Sequence, residues 1–162
     1  MKLVSACLCG INCNYKGKSK PIKKLIDLVK AGKAITICPE QLGGLPTPRP
    51  PAEINKGTGS DVLAGKSKVI TCEDKDITKE CVKGAFEVLK IAEKVNATEA
   101  ILTVRSPSCG SGKIYDGTFS HTLKNGDGVT AALLKRNGLK IIIEGSYEKK
   151  QKGSLLNSVF VF

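Results

Sequence analysis

Apolar residues in this chain fall into short unbroken runs separated by stretches with helical spacing. Residues 2–6, 34–37, 100–104 and 139–143 are nearly continuous apolar runs, and 68–71 is a weaker one. Runs of that length predict strands buried on both faces. Between them, Ile22, Leu25, Ile26 and Val29 recur at helical steps, with Pro21 placed to open the helix and Gly32 to end it. Cys81, Ala85, Val88, Leu89, Ala92 and Val95 recur likewise, and predict a helix over 78–96 capped by Thr78. A third helix is expected near 129–135, closed by Gly138. Strand and helix alternate, which predicts an α/β domain: a Rossmann-like three-layer sandwich around a mostly parallel sheet.

Two segments break this rhythm. Residues 41–66 are dense in Gly and Pro and are expected to be irregular, as are residues 115–125. From Gly145 the pattern fades into a Lys-rich stretch and then an apolar end. The domain is therefore expected over 1–144, and 145–162 is expected to be a tail that adds an edge strand or docks on a partner.

The cysteines change the picture. Of seven, Cys7, Cys38 and Cys109 each follow an apolar run directly or within a few residues. In an open α/β sheet the carboxyl ends of the strands converge on one crevice, where ligands bind. Three thiols from distant parts of the chain are thereby expected at one point, and converging thiolates hold soft metals or iron–sulfur clusters. Cys7-x-Cys9-x3-Cys13 has the spacing of neither a zinc pair nor a ferredoxin run. Cys81 reads as a packing residue, and Cys72 as an incidental thiol in a charged segment.

An odd number of cysteines argues against a disulfide framework and for a reducing compartment, so a cytoplasmic location is expected. Leu3-Val4-Ser5-Ala6-Cys7 looks like a lipoprotein cleavage box, but only Met1 and Lys2 precede it, too little for a signal peptide. No apolar run approaches the ~18 residues of a membrane span. The net charge of +11 favours an anionic partner. Its lysines are spread along the chain, which suits a phosphorylated small molecule at least as well as a nucleic acid. Monomer and homodimer are both open.

Polar residues near the same crevice complete the set. Glu40 stands two residues after Cys38, and Ser106 and Ser108 just before Cys109. Arg49 and Arg105 belong to the same edge. A carboxylate beside a metal is a natural general acid or base. Gly126-Asp127-Gly128-Val129 at a helix start has the character of a weak phosphate site.

Four stretches resemble the thiouracil desulfidase family over roughly residues 2–144. They are Leu3-Val4-Ser5-Ala6-Cys7-Leu8, Cys38-Pro39-Glu40 with Gly43-Gly44-Leu45-Pro46-Thr47-Pro48-Arg49, Arg105-Ser106-Pro107-Ser108-Cys109-Gly110, and Tyr115-Asp116-Gly117-Thr118-Phe119-Ser120. The resemblance implies a [4Fe–4S] cluster held by Cys7, Cys38 and Cys109 only, with Glu40 and Ser106 assisting catalysis. The substrate would be a thiolated base or nucleotide, contacted by Arg49, Arg105, Ser108 and Tyr15, and the product hydrosulfide. Cys13 falls where the family has Cys or an apolar residue and is not counted as a ligand. The chain departs from the family at Tyr15-Lys16-Gly17, where Tyr-Asp-Gly is usual, and at Cys9, where Leu is usual. Without turnover, the same thiols would make a zinc or cluster-sensing module or a sulfur carrier; tRNA-directed chemistry would need one basic face.

Overall fold

The computed structural model describes residues 1–146. A four-stranded, wholly parallel sheet forms its centre, built from β1 (Lys2–Ser5), β2 (Ala34–Ile37), β5 (Glu99–Leu102) and β8 (Lys140–Ile143) in the order β2-β1-β5-β8. The chain starts at β1, moves to β2 on one side, and later crosses to β5 on the other. The order of connection therefore reverses between β1 and β5, which is where an open sheet offers a ligand crevice.

Alternate side chains of these strands enter two separate cores. Leu3, Ile37, Ala100 and Leu102 pack with α4 (Thr78–Lys94) and α5 (Val129–Arg136). Val4, Ala34 and Ile101 pack on the opposite face with Leu25 of α1 (Lys23–Lys30). Both faces are covered, which is the three-layer α/β arrangement that the unbroken apolar runs imply.

The stretch 41–66 is more ordered than its composition suggests. It carries α2 (Pro39–Leu42), β3 (Ala52–Ile54) and α3 (Gly59–Leu63). β3 pairs antiparallel with β4 (Val69–Thr71), which is thus outside the central sheet. Local capping orders the stretch: Thr58 with Asp61 forms a capping box on α3, and Pro39, just ahead of it, opens α2. Residues 115–125 are likewise not a plain loop. β6 (Lys113–Tyr115) and β7 (Leu123–Asn125) form an antiparallel hairpin.

Thr78 does not cap α4. Ile77 holds that place, and the Thr78 hydroxyl accepts the Val69 N–H at 3.0 Å, tying the helix to β4. Asp76 accepts the Thr78 N–H instead, at 3.0 Å. Pro21 also stands outside its helix, since Ile22 is the residue before α1. The expected edge strand or docking segment lies almost wholly outside the described residues. Among them, no helix is long and apolar enough to cross a membrane.

Candidate functional site

The three thiols singled out from the sequence leave the carboxyl ends of three adjacent strands. Cys7 lies in a single 3-10 turn, Ala6–Cys9, that follows β1. Cys38 is the extended residue between β2 and α2. Cys109 lies in the loop after β5 and is buried. Cys13, set aside on sequence grounds, is 1% exposed, and its thiol interacts with those of both Cys38 and Cys7. The Cys38 Sγ also lies 3.8 Å from the Cys13 carbonyl oxygen.

Each wall of this pocket has a physical reason. α2 rests on α4 with backbone against backbone: a Cβ on Gly84 would lie 1.8 Å from the Pro39 carbonyl oxygen, and one on Gly43 would lie 2.0 Å from that of Glu80. Only glycine at both places lets Pro39–Glu40 seat so deeply. On the other side, the first turn of α5 binds the Cys109 loop. Gly128, Val129 and Thr130 donate their N–H groups to the carbonyls of Gly110, Pro107 and Ser108 at 2.8, 2.8 and 2.9 Å. These are donors that a helix start leaves free. With the loop occupying them, the phosphate reading of Gly126–Val129 is corrected: this helix N-terminus holds protein.

Within the loop, the Ser106 hydroxyl oxygen accepts the N–H groups of Ser108 and Cys109, both at 3.1 Å. Ser108 is fully buried, and its hydroxyl is 2.8 Å from that of Thr130. Arg105 is exposed, with a left-handed backbone of φ +65°. Tyr15 is exposed on the loop after Cys13, where its carbonyl accepts the Arg49 N–H at 2.9 Å.

Arg49 and Glu40 form an ion pair, with side-chain exposures of 5% and 17%. The same guanidinium donates to the carbonyls of Cys13 and Pro46 and to the Thr47 hydroxyl, at 3.1, 3.2 and 3.2 Å. One arginine thus fixes the carboxylate, the Cys13 turn and the Gly43–Arg49 loop together.

The thiols raise one another's proton affinity. Contact with Cys13, then burial, pushes the Cys38 thiol far up. Burial pushes Cys109 up strongly, with the nearby Glu40 and Cys38 charges adding to it. For Cys13 the Cys38 hydrogen bond pulls down, but contact with Cys7 and burial outweigh it and push the thiol up to about 11. Raised proton affinity keeps these thiols protonated, and a metal that binds them must release those protons.

The donor set fits a thiolate-held iron–sulfur cluster. It is soft and buried, and its nearest carboxylate is already committed to Arg49. Among the described residues no three His, Cys, Asp or Glu side chains sit where one metal ion could bind them all. A four-iron cluster presents a separate iron to each thiolate, so its ligands need not crowd one ion.

Three contributors escape sequence reasoning. Ser5 ends β1 buried, accepts the Thr103 N–H at 3.1 Å and hydrogen-bonds the Cys109 thiol. Its signal is a hydroxyl inside an apolar run. Buried Glu53 accepts the N–H groups of Gly117 and Phe119, at 2.8 and 3.1 Å, and pins the 115–120 motif to β3. Glu144 is buried just after β8, where its Oε1 pairs with Lys20 at 3.0 Å. A surface depression around Asp76, Thr78 and Lys83 includes none of the thiols.

Comparison with known proteins gives the family. Residues 3–146 match the family model for 2-thiouracil desulfurase. The chain is 51% identical over 144 residues to an uncharacterized protein, YbbK, of Bacillus subtilis (strain 168), covering 89% of this chain and 95% of that protein. Among solved structures it superposes on the [4Fe-4S]-dependent thiouracil desulfidase TudS with a TM-score of 0.81 and 39% identity, over 95% of this chain and 97% of that one. The fold, its buried thiols and these matches together show that the chain belongs to the 2-thiouracil desulfurase family.

Proposed function

We propose that this protein removes sulfur from a thiolated pyrimidine and releases it as hydrosulfide, using a [4Fe–4S] cluster held by Cys7, Cys38 and Cys109. The observation that carries the reading is the meeting of these thiols at the carboxyl edge of β2, β1 and β5, beside the Glu40–Arg49 pair. When bound, the cluster supplies a Lewis-acidic iron that weakens the carbon–sulfur bond without net electron transfer.

The residues divide the remaining work. Arg49 holds Glu40 by Oε2, which leaves Oε1 to take a proton from the water that replaces sulfur. The Ser106 hydroxyl oxygen is engaged by two backbone N–H groups, so its own proton is free to be donated to the substrate. Arg105 and Tyr15, both exposed, contact the pyrimidine ring and its substituents. Arg49 and Ser108, expected from the resemblance as substrate contacts, act as positioning residues: both side chains are buried and partnered within the protein. Lys16 and Lys18 stand exposed on the loop between Cys13 and α1. They suit the phosphate of a thiolated uridine monophosphate, so the nucleotide is as good a candidate as the free base. The work belongs in the cytoplasm, where thiolates stay reduced.

The test is anaerobic purification with iron, sulfide and zinc analysis, followed by hydrosulfide assays on thiouracil and thiouridine monophosphate. A brown protein that turns over either substrate is expected, with the cluster lost on replacing Cys7, Cys38 or Cys109 by Ala and kept on replacing Cys72. A colourless protein carrying stoichiometric zinc defeats the proposal.

A further inference from the structure

The two layers that flank the central sheet differ in charge. Residues 16–33 carry seven lysines against one aspartate, and all seven lysines are exposed. More than half of the chain's net charge of +11 sits in that one stretch. On the opposite face of the sheet, α4 carries four lysines against three glutamates. The fold thus gathers on one side a charge that the sequence spreads.

The helix at the centre of this stretch, α1, has one polar side. Leu25 is fully buried, and Ile22, Leu28 and Val29 pack into the same core. Lys23, Lys24, Asp27 and Lys30 occupy the remaining arc, about 120° wide at the helical repeat. Lys23 pairs with Asp27 at 2.8 Å and Lys20 with Glu144 at 3.0 Å. Among the described residues, Lys16, Lys18, Lys24, Lys30 and Lys33 form no ion pair.

This basic row begins at the thiols. Ile22 donates its N–H to the Leu8 carbonyl at 2.8 Å, in the turn that bears Cys7. At the other end, the Lys33 carbonyl accepts the Lys2 N–H at 3.1 Å, where β1 begins. The eight residues of α1 therefore run from the carboxyl edge towards the amino edge, over about 12 Å. Lys16 and Lys18 stand at the pocket end, beside Tyr15, whose ring lies 5.6 Å from the Lys16 Nζ.

A row of unpaired ammonium groups fits a partner with regularly spaced negative charge. A membrane surface would also need an apolar face, and that of α1 is already covered. A thiolated uracil within RNA meets both parts of the surface: its base enters the pocket while the phosphates that follow it lie along the lysines. The exposed Tyr15 ring adds the aromatic platform that single-stranded RNA uses. We propose that the α1 face is a phosphate track for single-stranded RNA, and that the pocket takes a thiolated pyrimidine while it is still part of the strand. The substrate half of this proposal rests on the function proposed above; the binding half does not.

The experiment uses the full chain, purified anaerobically, and a fluorescein-labelled oligouridylate read by anisotropy. Wild type is compared with Lys24→Glu/Lys30→Glu/Lys33→Glu on the track and with Lys79→Glu/Lys83→Glu/Lys94→Glu on α4, which changes the net charge equally. Wild type should bind at about 50 mM salt, with a slope of log K against log salt of about −2 to −3, as three or four neutralised phosphates give. The track variant should lose at least about 30-fold in affinity and most of that slope, and the α4 variant no more than about threefold. If the reversed track does not fold, Gln at the same three positions serves. Equal losses in the two variants, or no binding by wild type at low salt, would overturn the track. Competition by polyglutamate as effective as that by unlabelled RNA would point to an acidic protein and refute the RNA. Hydrosulfide release from an RNA carrying one thiouridine is then set against release from free 2-thiouracil. The ratio of kcat/KM for the RNA to that for the free base should fall in the track variant. An enzyme that turns over 2-thiouracil but not the bound RNA removes the substrate half. A protein that turns over neither defeats the proposed function, and anisotropy still decides the track.

Discussion

The Arg49 guanidinium is the more deeply buried partner of the Glu40 carboxylate, and it reaches that carboxylate and the Cys13 carbonyl from one nitrogen, Nη2. Removing it would leave a largely buried carboxylate without its counter-charge. Arg49→Ala is expected to cost about 3–5 kcal/mol of stability, as other broken buried pairs do. Arg49→Lys keeps the charge but lacks the planar fork, so it should recover only part. Denaturant titration of both variants measures this, and a loss below that of an exposed pair would show that Arg49 braces nothing.

Glu40 follows Cys38 through Pro39, which opens α2 and whose fixed φ limits where the carboxylate points. Glu40→Gln is expected to retain the cluster and lower turnover by about 10²–10⁴, the range for positioned proton transfer. Hydrosulfide release and iron content read on one sample separate the two effects. Near-normal turnover per cluster would remove Glu40 from the chemistry.

The α2–α4 contact gives a test far from the thiols. Gly84→Ala places a methyl against the Pro39 carbonyl, which belongs to backbone and cannot swing aside. A loss of about 1–3 kcal/mol is expected. Glu40 should move with α2, so turnover should fall too. Lys83→Ala, on the exposed side of the same helix turn, should stay within about 0.5 kcal/mol of wild type.

Glu53 predicts a local effect. Its Oε2 accepts both the Gly117 and Phe119 N–H groups, and hydrogen bonds to a charged partner are worth about 1.5–3 kcal/mol. Glu53→Ala should cost at least that much. It should also speed amide exchange at Gly117 and Phe119 ahead of the central strands. Unchanged protection at those two amides would contradict the role assigned to Glu53.

The central sheet was legible because its strands are short apolar runs, and apolar runs have only a few ways to be buried. The convergence of Cys7, Cys38 and Cys109 followed from the same fact, since each ends or closely follows such a run. What stayed hidden depends on contacts between distant segments. β3 and β4 are three residues each and draw their order from each other. Gly43 and Gly84 look like loop and helix-weakening residues until the two backbones meet. Thr78 reads as a cap because capping is local, but a long-range bond to Val69 claims its hydroxyl. Cys13 is set by where a tight turn delivers it, which spacing alone does not encode.

The positions of the thiols also bear on how the chain is made. Cys7 and Cys38 are separated by about 30 residues and Cys38 and Cys109 by about 70, so a cluster held by all three, as proposed above, would tie together segments synthesised at quite different times. Such a tie removes freedom from the unfolded chain much as a cross-link does, and the longer span contributes more. The knot cannot be drawn until β5 has crossed α4 and docked beside β1, because Cys109 arrives only with that strand. Cluster insertion is therefore expected to be a late, post-translational event on a chain whose sheet has already closed, and the filled protein to resist unfolding well beyond the empty one.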